Sequence, residues 1–169
     1  MKTFTERLKD EISRKKILEL IDNDSLTVHF QPVFSAGDGS VYGYEALARI
    51  PFEDDAIGIS ELFKNASITG VISLLDVRCR ENAISQAKKL GIDQKDAFLF
   101  INICPETLLD PAHRGGITDE LVEDMGLSKE RIIIEITEES AVKDYNLFGR
   151  AIERYRSRGY MIAIDDFGS

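Results

Sequence analysis

The chain has 169 residues, 43% of them hydrophobic, which suits about one domain with a real core. Its net charge of -9 argues against a polyanion-binding groove, because duplex or single-stranded nucleic acid is held by clustered Lys and Arg. A small anion stays within reach of so acidic a protein when a divalent cation supplies the positive charge.

The opening stretch MKTFTERLKDEISRKKILELI is densely charged and lacks a continuous apolar h-region. No later segment approaches the roughly 18 apolar residues of a membrane span, so a soluble, cytoplasmic protein without membrane insertion is expected. Thr3 followed by Glu6 fits a capping box, and Leu8, Ile12, Leu18 and Ile21 keep near-helical spacing to about Asp22. Thr27 to Val33 reads as a strand, Gly37-Asp38-Gly39 as a hairpin turn, and Val41 to Ala48 as the returning strand. From Ser60 the pattern turns helical, around Glu61 to Ser67 and again from Ile72 to Leu90, where Gly91 is the expected C-terminal cap. Phe98 to Ile103 is the next strand. Asp119 to Met125 reads as a short helix, with Thr118 as its cap and Gly126 as its stop, and Arg131 to Ile136 as a strand. Phe148, Ala151, Ile152 and Tyr155 mark one face of a helix ending near Gly159, before a last strand from Tyr160 to Ile164.

This alternation implies an α/β fold with a mainly parallel sheet, although the opening hairpin is antiparallel, which an ideal β/α barrel does not contain. The chain stops just after its fifth strand, at Asp165-Asp166-Phe167-Gly168-Ser169, so it reads as cut at an interior position of a larger fold. No linker or repeat divides it. Cys79 and Cys104 fall in a helix and just past a buried strand, and are expected to be reduced.

Four of the strand-like runs end in a carboxylate or carboxamide: YGYEAL at Glu45, FLFIN at Asn102, IIIE at Glu135, and MIAIDD at Asp165 and Asp166. In a parallel β/α barrel the reactive residues sit at those C-terminal strand ends. All-oxygen ligands suit Mg²⁺, Mn²⁺ or Ca²⁺ and not Zn²⁺. One acid at a strand end is more often a solvated rim residue, and Asp165-Asp166 alone could be an ordinary Asx turn, but four coincidences are much rarer than one. Elsewhere the plainer reading holds. Arg154, Arg156 and Arg158 are expected to meet helix-terminal carbonyls and solvent, Glu138 to make a local hydrogen bond, Cys104 to be a packed thiol, and His29 to point away from the site.

Phe30-Gln31-Pro32, Glu45-Ala46-Leu47 with Arg49, Asn102-Ile103-Cys104-Pro105, Glu135-Ile136-Thr137-Glu138 and Asp165-Asp166-Phe167-Gly168 resemble, in order and spacing, the signature of the EAL domain family. These are bacterial phosphodiesterases that cleave cyclic di-GMP to linear pGpG. The resemblance implies a modified TIM-type (β/α)8 barrel with an antiparallel first strand, of which this chain would hold about five of eight strands. It further implies a single partial domain over residues 1–169, with an N-terminal helix over 1–22 and the first two-thirds of the barrel over 26–169. By analogy, Glu45, Asn102, Glu135 and Asp165 match ligands of a first Mg²⁺ or Mn²⁺ ion and Asp166 a ligand of a second, with Glu45, Asp165 and Asp166 carrying catalysis. Arg49 matches a phosphate contact, and Gln31 and Leu47 match positions near the nucleotide.

The family's later motifs, which supply a Lys near the attacking water, a further Glu ligand and a Gln near the substrate, have no counterpart in these residues. The expectation is therefore a phosphodiesterase in a longer parent, with a sensory or GGDEF partner domain allowed there, and little activity from this chain alone. The alternative is a catalytically inactive cyclic di-GMP receptor or protein-interaction module. An unclosed barrel leaves sheet edges unpaired, so a homodimer or higher association is also expected.

Overall fold

A computed structural model describes residues 3–50, 58–104, 106–107, 116–137 and 145–165. Helix α1 (Phe4–Asp22) opens on the expected capping box: the Glu6 N–H donates to Thr3 Oγ1 at 3.2 Å, and Glu6 Oε2 accepts the Thr3 N–H at 2.7 Å.

Strands β1 (Thr27–Phe34) and β2 (Val41–Arg49) form the antiparallel hairpin. Its turn is closed by the Ser35 N–H on the Ser40 carbonyl at 2.8 Å, while the Asp38 carboxylate takes both the N–H and the hydroxyl of Ser40. Val33 pairs with Gly43 and Phe34 with Val41, which leaves Tyr42 as the extra residue of a bulge, its ring 4.8 Å from that of Phe98. Gly43 has to be glycine. A β-carbon there would lie 2.5 Å from the Phe100 ring and 2.7 Å from the Phe98 carbonyl.

Helices α2 (Ile59–Ile68) and α3 (Ile72–Lys89) follow, and α3 stops as expected at Gly91, whose φ of 64° is left-handed. Then come β3 (Phe98–Asn102), α4 (Ile117–Asp124), β4 (Ile132–Thr137), α5 (Tyr145–Arg156) and β5 (Met161–Asp165). The cap of α4 is Gly116, at φ 115°, and not Thr118. Thr118 lies inside the helix, 3% exposed, because its hydroxyl is taken by Arg80 from across the molecule.

The sheet order is β1-β2-β3-β4-β5, antiparallel in the first pair and parallel in the rest, the expected part of a barrel with an antiparallel first strand. One face is covered by helices. Ala46, Leu99, Ile101, Ile132, Ile134 and Ile136 pack against Ala83, Ile84 and Ala87 of α3, Val122 of α4 and Phe148, Ala151 and Tyr155 of α5. Each fully buried isoleucine there contributes about 1.5–3 kcal/mol of transfer free energy. A second cluster joins α1 through Ile17, Leu20 and Ile21 to Leu62 and Ala66 of α2 and Leu75 of α3. Cys79 and Cys104 are free thiols. Among the described residues no helix is long and apolar enough to cross a membrane.

Candidate functional site

The covered face uses every second residue, so the alternate residues share the opposite face. Register fixes which ones they are: Gln31 is opposite Glu45, Glu45 opposite Phe100, Asn102 opposite Glu135, Glu135 opposite Ala163, and Thr137 opposite Asp165. The sheet therefore brings Glu45, Asn102, Glu135 and Asp165 to one face: Asn102 and Asp165 end their strands and Glu135 is close to the end of β4, but Glu45 is at the middle of β2, which runs on to Arg49 and does not end at Glu45 as expected. Because β1 runs the other way, its residues climb toward that rim as their numbers fall: Gln31 stands beside Glu45, His29 beside Leu47 and Thr27 beside Arg49. His29 thus shares the face of Gln31, contrary to the expectation that it points away. Residues two apart in a strand lie on the same side.

Asn102 Nδ2 donates to Glu45 Oε1 at 3.1 Å, which commits the amide nitrogen and leaves the carbonyl oxygen as the ligand-type atom. Glu135 is 8% exposed, and its Oε2 has no hydrogen-bond partner among the described residues. Burial pushes the Glu135 carboxyl up to about 8, and the neighbouring Glu45 and Asp165 charges add to the rise. Arg49 is half-buried and donates Nη1 to the Ala48 carbonyl at 2.9 Å, which uses one of its five N–H donors. Asp166 and Glu138 lie outside the described residues.

A buried carboxyl beside two further acids and an amide oxygen is a donor set for a hard cation, since among the described residues no group is seen to offset the cost of ionising Glu135. The fit is in the kind of donors. Among the described residues no group of three His, Cys, Asp or Glu side chains is arranged to hold a metal ion. Among the described residues, hollows lie between α1 and α2, lined by Ile12, Ile17 and Leu62, and near Ile92 and Arg131.

The last arginine of the basic cluster lies just past α5. Arg158 is paired with Asp119, a carboxylate and not the terminal carbonyls expected of it. Cys104 is half-buried and donates its thiol to Glu106 Oε2 at 2.8 Å. Two residues that sequence reasoning passed over, Asp76 and Arg80, form a buried ion pair below Asn102. The visible signal was two charges, four apart, inside the apolar stripe of Ile72, Leu75, Ala83 and Ala87.

The EAL domain family model matches residues 14–169. The chain belongs to the EAL domain family. An uncharacterized signaling protein of Caulobacter vibrioides is 32% identical over 150 residues, covering 88% of this chain and 18% of that protein. The cyclic di-GMP phosphodiesterase NbdA of Pseudomonas aeruginosa is 26% identical over 160 residues, covering 92% of this chain and 20% of its own length. Among solved structures, the manganese and cyclic di-GMP complex of BlrP1 from Klebsiella pneumoniae superposes with a TM-score of 0.69 at 26% identity, over 85% of this chain and 35% of that one. The chain thus spans about one-fifth of the two curated relatives named here. The five strands match the first part of the TIM-barrel-like EAL fold.

Proposed function

We propose that this chain carries the first part of a cyclic di-GMP phosphodiesterase site, which in the complete domain hydrolyses its substrate to linear pGpG with Mg²⁺ or Mn²⁺. One observation carries the reading: Glu135 is buried beside Glu45 and Asp165 with an unpartnered carboxylate oxygen, an arrangement that a divalent cation would stabilise. A divalent cation held there lowers the pKa of the attacking water and neutralises charge on the phosphodiester.

The remaining roles belong to the chain's own residues. Glu45, Asn102, Glu135 and Asp165 share one face of the sheet, and Asp166 adds another carboxylate by its place in the sequence. Glu135 is largely protonated at neutral pH in the metal-free chain and must give up that proton when a cation binds. Arg49, with its planar fork of donors, suits a phosphate of the dianionic substrate, and Gln31 and Leu47 flank the nucleotide. The naming of NbdA as a cyclic di-GMP phosphodiesterase and the BlrP1 complex with manganese and cyclic di-GMP support the choice of substrate and ion.

The test is calorimetric titration of cyclic di-GMP into the chain with and without Mg²⁺, followed by chromatography for pGpG. Metal-dependent binding supports the reading, and metal-independent binding refutes its use of the acids. A second reading, a receptor that binds cyclic di-GMP without cleaving it, is favoured by the absence of a closed ligand cluster among the described residues. In a complete domain, binding without release of pGpG selects it.

A further inference from the structure

Asp76 and Arg80 sit one turn apart on the buried face of α3, with side chains 3% and 1% exposed. Arg80 Nη2 donates to Asp76 Oδ2 at 2.7 Å and Nη1 to Thr118 Oγ1, while Asp76 Oδ1 accepts the Cys104 N–H at 3.0 Å. Arg80 Nε has no partner among the described residues. A buried pair with a donor left over is a poor stabiliser, because desolvating two charges offsets most of their attraction. What such a pair does supply is fixed geometry.

That geometry converges on one stretch of backbone. Cys104 is two residues past Asn102, and the intervening Ile103 donates its N–H to the Glu135 carbonyl at 3.0 Å. Consecutive amides after Asn102 are therefore held from two sides, by β4 and by α3. The Cys104 carbonyl is held too, by the N–H of Thr107 at 3.1 Å and its hydroxyl at 2.8 Å. Asn102 is itself exposed, and among the described residues its amide contact to Glu45 is the one side-chain hydrogen bond that orients it.

We propose that Asp76 is a positioning residue for the rim: by holding the Cys104 amide it aims Asn102 at Glu45. The importance of that aim rests on the function proposed above, whereas the clamp itself can be tested without it.

Two double variants separate the clamp from the ion pair. Asp76→Leu with Arg80→Met removes both charges and the acceptor for Cys104. Asp76→Asn with Arg80→Met removes the charges and keeps an acceptor oxygen in place. The readouts are solvent exchange of the Asn102 side-chain amide by NMR in the metal-free chain, and Mn²⁺ affinity by titration of the metal alone. The Leu/Met variant is expected to exchange the Asn102 amide about tenfold faster and to bind Mn²⁺ about tenfold more weakly, the lower end of what supporting contacts give metal ligands. The Asn/Met variant restores both. Equal Asn102 exchange in both variants and the native chain overturns the proposal. Should the Leu/Met variant not fold, hydrogen exchange in the native chain decides: the Cys104 amide must be protected like Ile134, and rapid exchange there overturns the proposal. A native chain that fails to bind millimolar Mn²⁺ refutes the metal reading, while the Asn102 amide still judges Asp76.

Discussion

Asp119, on helix α4, and Glu135, on strand β4, are acids placed in opposite company. Asp119, where the chain enters β4 and β5, accepts from Lys129 at 3.2 Å, from the Tyr160 hydroxyl at 3.0 Å and from Arg158. Burial works to raise its pKa, but the hydrogen bonds from Lys129 and Tyr160 and the Arg158 charge win and hold it below the usual carboxylate range. Glu135, near the other end of β4, meets no donor for Oε2 and two further acids, and is pushed up to about 8. An acid satisfied by its own chain is fastening the fold. An acid left unsatisfied beside others of its kind is waiting for something from outside.

The comparison breaks most sharply at catalysis. Glu45→Ala in a complete domain is expected to cost metal-dependent pGpG release more than about 100-fold, beyond what supporting contacts of metal ligands cost, whereas Asp119→Ala leaves the rate per folded molecule unchanged. Chromatographic product assay on the two variants checks this. The next effect is on stability and reverses the order: Asp119→Ala takes the acceptor from the Tyr160 hydroxyl and Arg158, while Lys129 keeps Glu123, and should cost about 1–3 kcal/mol in urea denaturation.

The pH profiles should slope in opposite directions. Glu135 keeps in the folded, metal-free chain a proton that the unfolded chain releases near 4.5, so stability falls as pH rises from there to about 8, by at most about 1.4 kcal/mol per unit. Glu135→Gln removes that decline, and saturating Mg²⁺ reduces it. Asp119, with its pKa lowered, stabilises the fold above 3.8 and loses that contribution as pH falls below it; Asp119→Asn flattens this acid limb. Denaturation midpoints across pH, with and without Mg²⁺, read both. The smallest expected change is from Lys129→Ala, which removes one of three donors and should shift the midpoint less than Asp119→Ala does.

Much of this was legible in the chain because its signals are local. An apolar run that ends in Glu or Asn announces both a buried strand and a polar rim, and Gly37-Asp38-Gly39 announces a hairpin, so the strands and four ligand-type residues could be placed without coordinates. The failures came where a partner is remote. Thr118 has the composition of a helix cap, but Arg80, 38 residues away, claims its hydroxyl. Asp76 and Arg80 looked like ordinary charges on a helix, since what makes them unusual is a backbone amide 28 residues further on. His29 was misjudged by parity alone, and register with Leu47 corrects it.

The two outer strands of the sheet differ in a way that sets particle size. In β1 a proline, Pro32, takes one N–H out of the backbone at mid-strand, whereas β5 runs through Met161, Ile162, Ala163 and Ile164 without proline or charge before Asp165. Copies that met through β5 would present their proline-bearing strands outward, which disfavours a further union. Raising the concentration is then expected to convert single chains into pairs and not into fibres, with light scattering levelling off at twice the chain mass of 19.0 kDa.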